Sequence, residues 1–220
     1  MLFLHGYLSS KEAFTAQIEY FSKFFRVTAI DFLGFGNSAP LKKPFSVHDY
    51  AVWTGEALAL LGVQKPVVIA HSFGCRVAVK MASQDETVFD KMLLTGAAGV
   101  ILKRGFAYHA KVKAYRLVKK IAPRYAENHF GSAEYRSLSP IMKESYKKIV
   151  NEDLRGDASR IRNPVLLVAG EKDTTTPLAE ANAYLRVMQN GRLKRMNGGH
   201  FAFAEYPMEF NLIAEEFIYD

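Results

Sequence analysis

Cysteine is almost absent: Cys75 stands alone among 220 residues, which excludes an intramolecular disulfide and a cysteine-based metal site. Long apolar runs are missing as well. No stretch approaches the roughly 18–20 residues needed to span a membrane, and 49% hydrophobic with 23% charged residues is the balance of a water-soluble globular chain. The opening Met1-Leu2-Phe3-Leu4-His5-Gly6 has neither a basic leader nor a small-residue cleavage site, so no secretory signal is expected and a reducing cytoplasm fits best. Acids are missing between Lys103 and Arg124, where eight Lys or Arg residues fall. Such a patch can meet nucleic acid, anionic lipid or an anionic substrate, or form a solvated helix face. No interleaved base-stacking pattern accompanies it, so nucleic acid is not expected as a partner.

What is present is an alternation of short apolar runs with helical periodicity, the pattern of an α/β fold with a mainly parallel sheet. Strands are expected at 2–4, 26–31, 66–71, 91–95, 165–169 and 192–196. Helices are expected at about 11–24, 47–61, 74–83, 177–188 and 207–217. Ser46 with Asp49 reads as a helix start and Gly62 as its stop. The alternation breaks once, at about 97–163, where only basic and aromatic helical stretches appear. That segment is read as a helical lid inserted in a single domain spanning 1–220, over the carboxyl ends of the strands. Its aromatics Phe106, Tyr108 and Tyr115, together with Phe201, are the candidate substrate pocket.

The most informative string is Val67-Val68-Ile69-Ala70-His71-Ser72-Phe73-Gly74. An apolar β-branched run ends at a serine, and a small-residue helix pattern begins directly after it. The chain must reverse there within two or three residues, so the serine takes a strained backbone and its neighbours must be small. Ala70 and Gly74 satisfy that need. The hydroxyl is then exposed at the carboxyl end of a sheet above a helix N-terminus.

A serine that attacks acyl groups needs a base, an acid to orient that base, and two donors for the developing oxyanion. Of six histidines, His71 lies on the strand with its side chain toward the other face, His48 begins a helix, and His109 and His129 fall in the inserted segment. His5 ends the first strand. His200 follows the last strand in the flexible Asn197-Gly198-Gly199-His200-Phe201 loop, and it alone can lean over Ser72. The acid is sought after the preceding strand, in Gly170-Glu171-Lys172-Asp173, where Asp173 is the choice, a turn-forming aspartate the bland alternative, and Glu171 the backup. The oxyanion donors would be the N–H groups of Phe73 and of Tyr7, the latter after the His5-Gly6 turn.

One string competes. Gly34-Phe35-Gly36-Asn37-Ser38-Ala39 follows a strand and matches a dinucleotide-binding fingerprint. That mode needs a helix starting at the glycines, whereas Pro40, Lys42-Lys43 and Pro44 follow at once and give an extended loop. No acid ends a second strand about 20 residues on, as that mode requires.

Together these residues resemble the α/β-hydrolase superfamily, and within it the small capped serine esterases and C–C bond hydrolases. The likeness runs through His5-Gly6, Asp31-x-x-Gly34-x-Gly36-x-Ser38, the Ser72 turn, Gly170-x-x-Asp173 and Gly199-His200, in that order. It implies Ser72 as nucleophile, His200 as base, Asp173 as orienting acid, and no metal or organic cofactor. A small ester-like substrate would be cleaved through an acyl-enzyme. C–C hydrolysis, amide cleavage, acyl transfer or a non-catalytic ligand-binding role are the alternatives. The lid's charge and aromatics favour small anionic or aromatic acyl esters over long neutral lipids. The serine argues against the relatives that place aspartate there, namely haloalkane dehalogenases and epoxide hydrolases. Two departures stand out: Ala70 replaces a glycine, and the family usually carries two strands before the His-Gly strand. Their absence would leave the 26–31 strand as an open edge, so either an upstream start or a homodimer through that edge is expected.

Overall fold

The computed structural model describes residues 1–102 and 133–220. Six strands form one sheet: β1 (Leu2–Leu4), β2 (Thr28–Ile30), β3 (Val68–His71), β4 (Met92–Thr95), β5 (Val165–Gly170) and β6 (Gly191–Met196). All neighbours pair in parallel, in the order β2-β1-β3-β4-β5-β6. Every residue of β1, β3, β4 and β5 is buried, as expected when helices cover both faces of a parallel sheet. The edge strand β6 instead alternates, and exposed Arg192, Lys194 and Arg195 guard it against pairing with another chain.

The period of two sorts these buried residues into two cores. Leu2, Leu4, Val68, Ala70, Leu94 and Leu167 face one layer, which includes α2 (Val47–Leu60) and α3 (Phe73–Gln84). Phe3, Ile69, Leu93, Leu166 and Val168 face the other, built from α1 (Thr15–Phe21) and the C-terminal helix with Phe14, Phe21, Phe203, Phe210 and Phe217. Between β4 and β5 the described residues contain α4 (Ala133–Ser137), α5 (Pro140–Val150) and α6 (Arg155–Ala158). The chain closes with α7 (Leu178–Leu185), α8 (Ala202–Glu205) and α9 (Pro207–Tyr219). Helix α2 opens on a capping box in which Ser46 and Asp49 satisfy each other's backbone N–H, and Gly62 follows its end at φ 64°.

Two expected helices differ in detail. The 11–24 segment is a 3-10 turn over Lys11–Phe14 followed by α1, which stops at Phe21. The Lys11 amide and ammonium both bind Asp31, each at 2.8 Å, which draws the start of that segment toward the end of β2. The helix expected over 177–188 is α7, shorter at both ends, because Pro177 stays extended as its N-cap.

Helix α3 leaves β3 so tightly that a Cβ on Gly74 would lie inside the contact surface of the Leu4 carbonyl oxygen. Gly74→Ala is therefore expected to destabilise the fold by about 1–3 kcal/mol, the usual range for overpacking against a rigid neighbour. Urea denaturation checks it, and an unchanged midpoint would contradict this close approach.

Candidate active site

Ser72 sits between β3 and α3 with φ 49° and ψ −105°. Positive φ in a residue bearing a Cβ costs about 1–3 kcal/mol and persists only where the surroundings enforce it. Three bonds enforce it here. The Ser72 N–H donates to the Thr95 carbonyl at 3.1 Å, the Cys75 N–H returns to the Ser72 carbonyl at 3.1 Å, and the Cys75 thiol donates to the Ala70 carbonyl at 3.1 Å. Burial pushes that thiol's pKa far up, so Cys75 is a packed, protonated group.

His200 and Asp173 reach Ser72 from adjacent strands. Beyond the last β5–β6 pair, Gly170 opposite Met196, the two loops stay joined: Glu171 N–H donates to Met196 O at 3.0 Å and Lys172 N–H to Gly198 O at 2.9 Å. Gly170 leaves no room for a Cβ against the Gly198 and Gly199 carbonyls, and Gly198 turns at φ 111°. His200 Nε2 lies 3.0 Å from Ser72 Oγ and its Nδ1 lies 2.8 Å from Asp173 Oδ2.

Asp173 is 6% exposed. Its Oδ1 accepts from the Thr175 and Thr176 N–H groups at 2.8 and 2.9 Å, and its Oδ2 from the Thr176 hydroxyl at 2.7 Å. Burial alone would raise this carboxyl, but the bonds from His200 and Thr176 outweigh it and hold the pKa at about 2. The carboxylate is thus an acceptor only. The proton on His200 must sit on Nδ1, which leaves Nε2 free to accept the Ser72 hydroxyl hydrogen. Glu171 is exposed, so the carboxylate at His200 is that of Asp173. The same aspartate is also the turn-forming residue of its loop; the two readings describe one side chain.

On the other side of Ser72, a Cβ on Gly6 would lie 3.6 Å from the Ser72 Cβ. The Gly6 turn is pinned by buried His5, whose Nδ1–H donates to Gly6 O at 2.7 Å while Nε2 accepts from Phe32 N–H at 3.0 Å. Burial lowers the His5 pKa, consistent with this neutral, doubly bonded ring. Among the described residues, neither the Tyr7 nor the Phe73 N–H donates to any protein acceptor. The Tyr7 ring packs on Phe35, Phe73 and Tyr146, and its hydroxyl donates to Met142 O of α5 at 3.1 Å.

The glycine string after β2 closes on Asp31. Asn37 N–H donates to the Asp31 carboxylate at 3.0 Å, Ser38 Oγ donates to Asp31 O at 2.6 Å, and Gly36 has no space for a Cβ against that carboxylate. The next helix starts only at Val47, so no helix N-terminus faces the glycines. Phe201 is 44% exposed, with its ring 5.5 Å from that of His200. Phe106, Tyr108 and Tyr115 lie outside the described residues, as does the basic 103–124 run. Among the described residues no cluster of acids, histidines and cysteine is placed to hold a metal, and no helix is long and apolar enough to cross a membrane.

Sequence reading missed Thr176, His71 and Arg76. Thr176 carries the visible signal of an Asp-x-x-Thr turn before a helix. His71 does face the Ile69 side of the sheet, but the His200 loop crosses over that side, so their rings lie 4.7 Å apart. Buried Arg76 of α3 donates to Ile149 O and Glu152 O at 2.8 and 3.0 Å, tying the end of α5 to the helix that begins just after Ser72.

Burial, with the neighbouring His200 adding to it, depresses the His71 pKa to about 3. An unfolded histidine titrates near pH ~6.5, so acid adds a proton to the unfolded chain before the folded one, and stability is lost as pH falls through that window. Asp173 adds a loss in the same direction at lower pH, because its folded pKa is also depressed. Wild-type protein is expected to lose stability between about pH 6.5 and 4 more steeply than His71→Gln, as read by urea denaturation across pH. Parallel profiles would contradict a buried neutral His71.

A family model described as alpha/beta hydrolase fold matches residues 1–117. Over 245 residues the chain is 24% identical to the AB hydrolase superfamily protein YisY of Bacillus subtilis, covering 99% of this chain and 90% of that protein. It is 25% identical over 230 residues to the human serine hydrolase BPHL, covering 99% and 78%. Among solved structures, an esterase from Exiguobacterium antarcticum superposes with a TM-score of 0.79 at 20% identity, covering 100% of this chain and 91% of that one. The enol-lactonase from Burkholderia xenovorans superposes with a TM-score of 0.77 at 20% identity, covering 100% and 90%. Both superpositions speak for the fold alone.

Proposed function

Since this chain belongs to the alpha/beta hydrolase fold family, we propose that it is a serine hydrolase that cleaves a carboxylic ester, or a related acyl bond, of a small substrate. The observation that carries this reading is the Ser72–His200–Asp173 hydrogen-bonded line, 3.0 and 2.8 Å, ending on a serine held at positive φ. The names of relatives such as the human serine hydrolase and the Exiguobacterium esterase agree with it.

In the proposed reaction Ser72 Oγ attacks the acyl carbon while its proton passes to His200 Nε2. The imidazolium formed is stabilised by the Asp173 carboxylate, which stays ionised. The Tyr7 and Phe73 N–H groups, unclaimed by acceptors among the described residues, receive the oxyanion. His200 then gives its proton to the leaving alcohol as the C–O bond breaks. Water, deprotonated by the same nitrogen, attacks the acyl-serine, and the acid departs with Ser72 restored.

Residues 97–163 are proposed to cap this site. Support comes from α5, whose Met142 carbonyl accepts from the Tyr7 hydroxyl and whose Tyr146 packs on the Tyr7 ring at 5.3 Å. The reading is tested by turnover of para-nitrophenyl acetate beside the matching anilide, with the burst of acyl-enzyme followed in the first turnover. A nitrophenol burst followed by steady release is expected; no hydrolysis of any acyl bond in a folded sample would contradict it.

A further inference from the structure

We propose that His71 is a positioning residue of this site: its ring, lying beneath His200, holds the His200 backbone in place through one hydrogen bond and links it to the Gly6 turn. The proposal rests on the Ser72–His200–Asp173 reading above.

Three observations meet at this ring. His71 Nε2 lies 2.9 Å from the His200 carbonyl oxygen. A carbonyl only accepts, so Nε2 carries the hydrogen. The ring is 1% exposed and packs 4.7, 4.8 and 4.9 Å from the rings of His200, Phe201 and Phe203. Among the described residues its other nitrogen, Nδ1, has no hydrogen-bond partner, and it abuts Gly6 so closely that a Cβ there would stand 2.9 Å away. An apolar side chain would fill the same space without orphaning a buried nitrogen. What an imidazole adds is the bond to His200.

That bond matters because of where His200 sits. Gly198 and Gly199 precede it and give its loop little stiffness of their own, yet its ring must meet Ser72 and Asp173 at once. Fixing the carbonyl of the same residue fixes the point from which the side chain departs. The titratable groups around His71 are His200 and Asp173 from the two loops and His5 just after β1. Burial holds the His71 pKa down at about 3, so at neutral pH His71 places no second cation against the His200 ring.

The test compares His71→Leu, which keeps bulk and loses the donor, with His71→Gln, whose amide can return an N–H to the same carbonyl. Para-nitrophenyl acetate is the probe, and circular dichroism confirms folding. His71→Leu is expected to lower kcat about 10- to 100-fold, the scale of a small misplacement of a reacting group, with KM changed less than about threefold. His71→Gln is expected to restore most of the loss. A folded His71→Leu protein with undiminished kcat overturns the proposal, and so does a Gln variant as poor as the Leu one. Ser72→Ala, run alongside, separates the two levels: if it still turns over the ester at the wild-type rate, the reading of the site fails, whatever His71 does. Should His71→Leu not fold, imidazole nitrogen NMR of the unmodified protein decides. An Nε2–H tautomer for His71 at neutral pH supports the proposal, and an Nδ1–H tautomer overturns it.

Discussion

Ser72→Ala is expected to lower turnover of a short-chain aryl ester on the order of 10⁴-fold or more, because it removes the covalent nucleophile and leaves nothing for His200 to activate. The fold should survive the change. The Ser72 backbone is held through its own N–H and carbonyl, by Thr95 and Cys75, and the hydroxyl adds one bond, to the His200 ring. Alanine keeps the Cβ and with it the positive-φ strain, so its thermal midpoint should stay close to that of the wild type. Unchanged turnover in a folded Ser72→Ala protein contradicts the nucleophile assignment.

The second large effect belongs to Asp173→Asn. Asparagine can still accept from the Thr175 and Thr176 N–H groups through its carbonyl oxygen, so the loop keeps its turn. Its NH₂ then faces His200 Nδ1, where Asp173 Oδ2 now accepts. Two donors cannot face each other, and the imidazole must move its hydrogen to Nε2. That nitrogen can no longer take the Ser72 proton. A fall in kcat of about 10³–10⁴-fold is expected, with a much smaller change in KM. Glu171→Gln should be nearly silent, since Glu171 is exposed. Damage from Glu171→Gln with a harmless Asp173→Asn would contradict the choice of acid.

The inner strands β1, β3, β4 and β5 were legible because they are short apolar runs buried on both faces, and the period of two within them survives folding unchanged. Element ends were less legible. Lys11 looks like part of one long amphipathic helix, but its contact with Asp31, twenty residues on, holds the first turn as a 3-10. The three residues placed at Ser72 could be named in advance because each lies just beyond the carboxyl end of a strand, β3, β5 or β6, and parallel neighbours bring those ends together. Thr176, His71 and Arg76 were beyond that logic. Thr176 binds Asp173 within its own loop, while His71 and Arg76 reach backbone carbonyls of distant segments, and no hydrophobic period encodes such pairs. His71 shows the gap most clearly. Alternation correctly assigned its face, but it carried no information that the His200 loop folds over that face.

The central claim is that Ser72 is an activated nucleophile, and covalent labelling by a fluorophosphonate tests it most directly. Wild-type protein, treated at neutral pH and digested for mass spectrometry, should carry one phosphonyl group on the peptide containing Ser72. Labelling should be slowed strongly by His200→Ala and be absent in Ser72→Ala. Folded wild-type protein that takes no label, or a Ser72→Ala protein labelled as fast as the wild type, would contradict the claim.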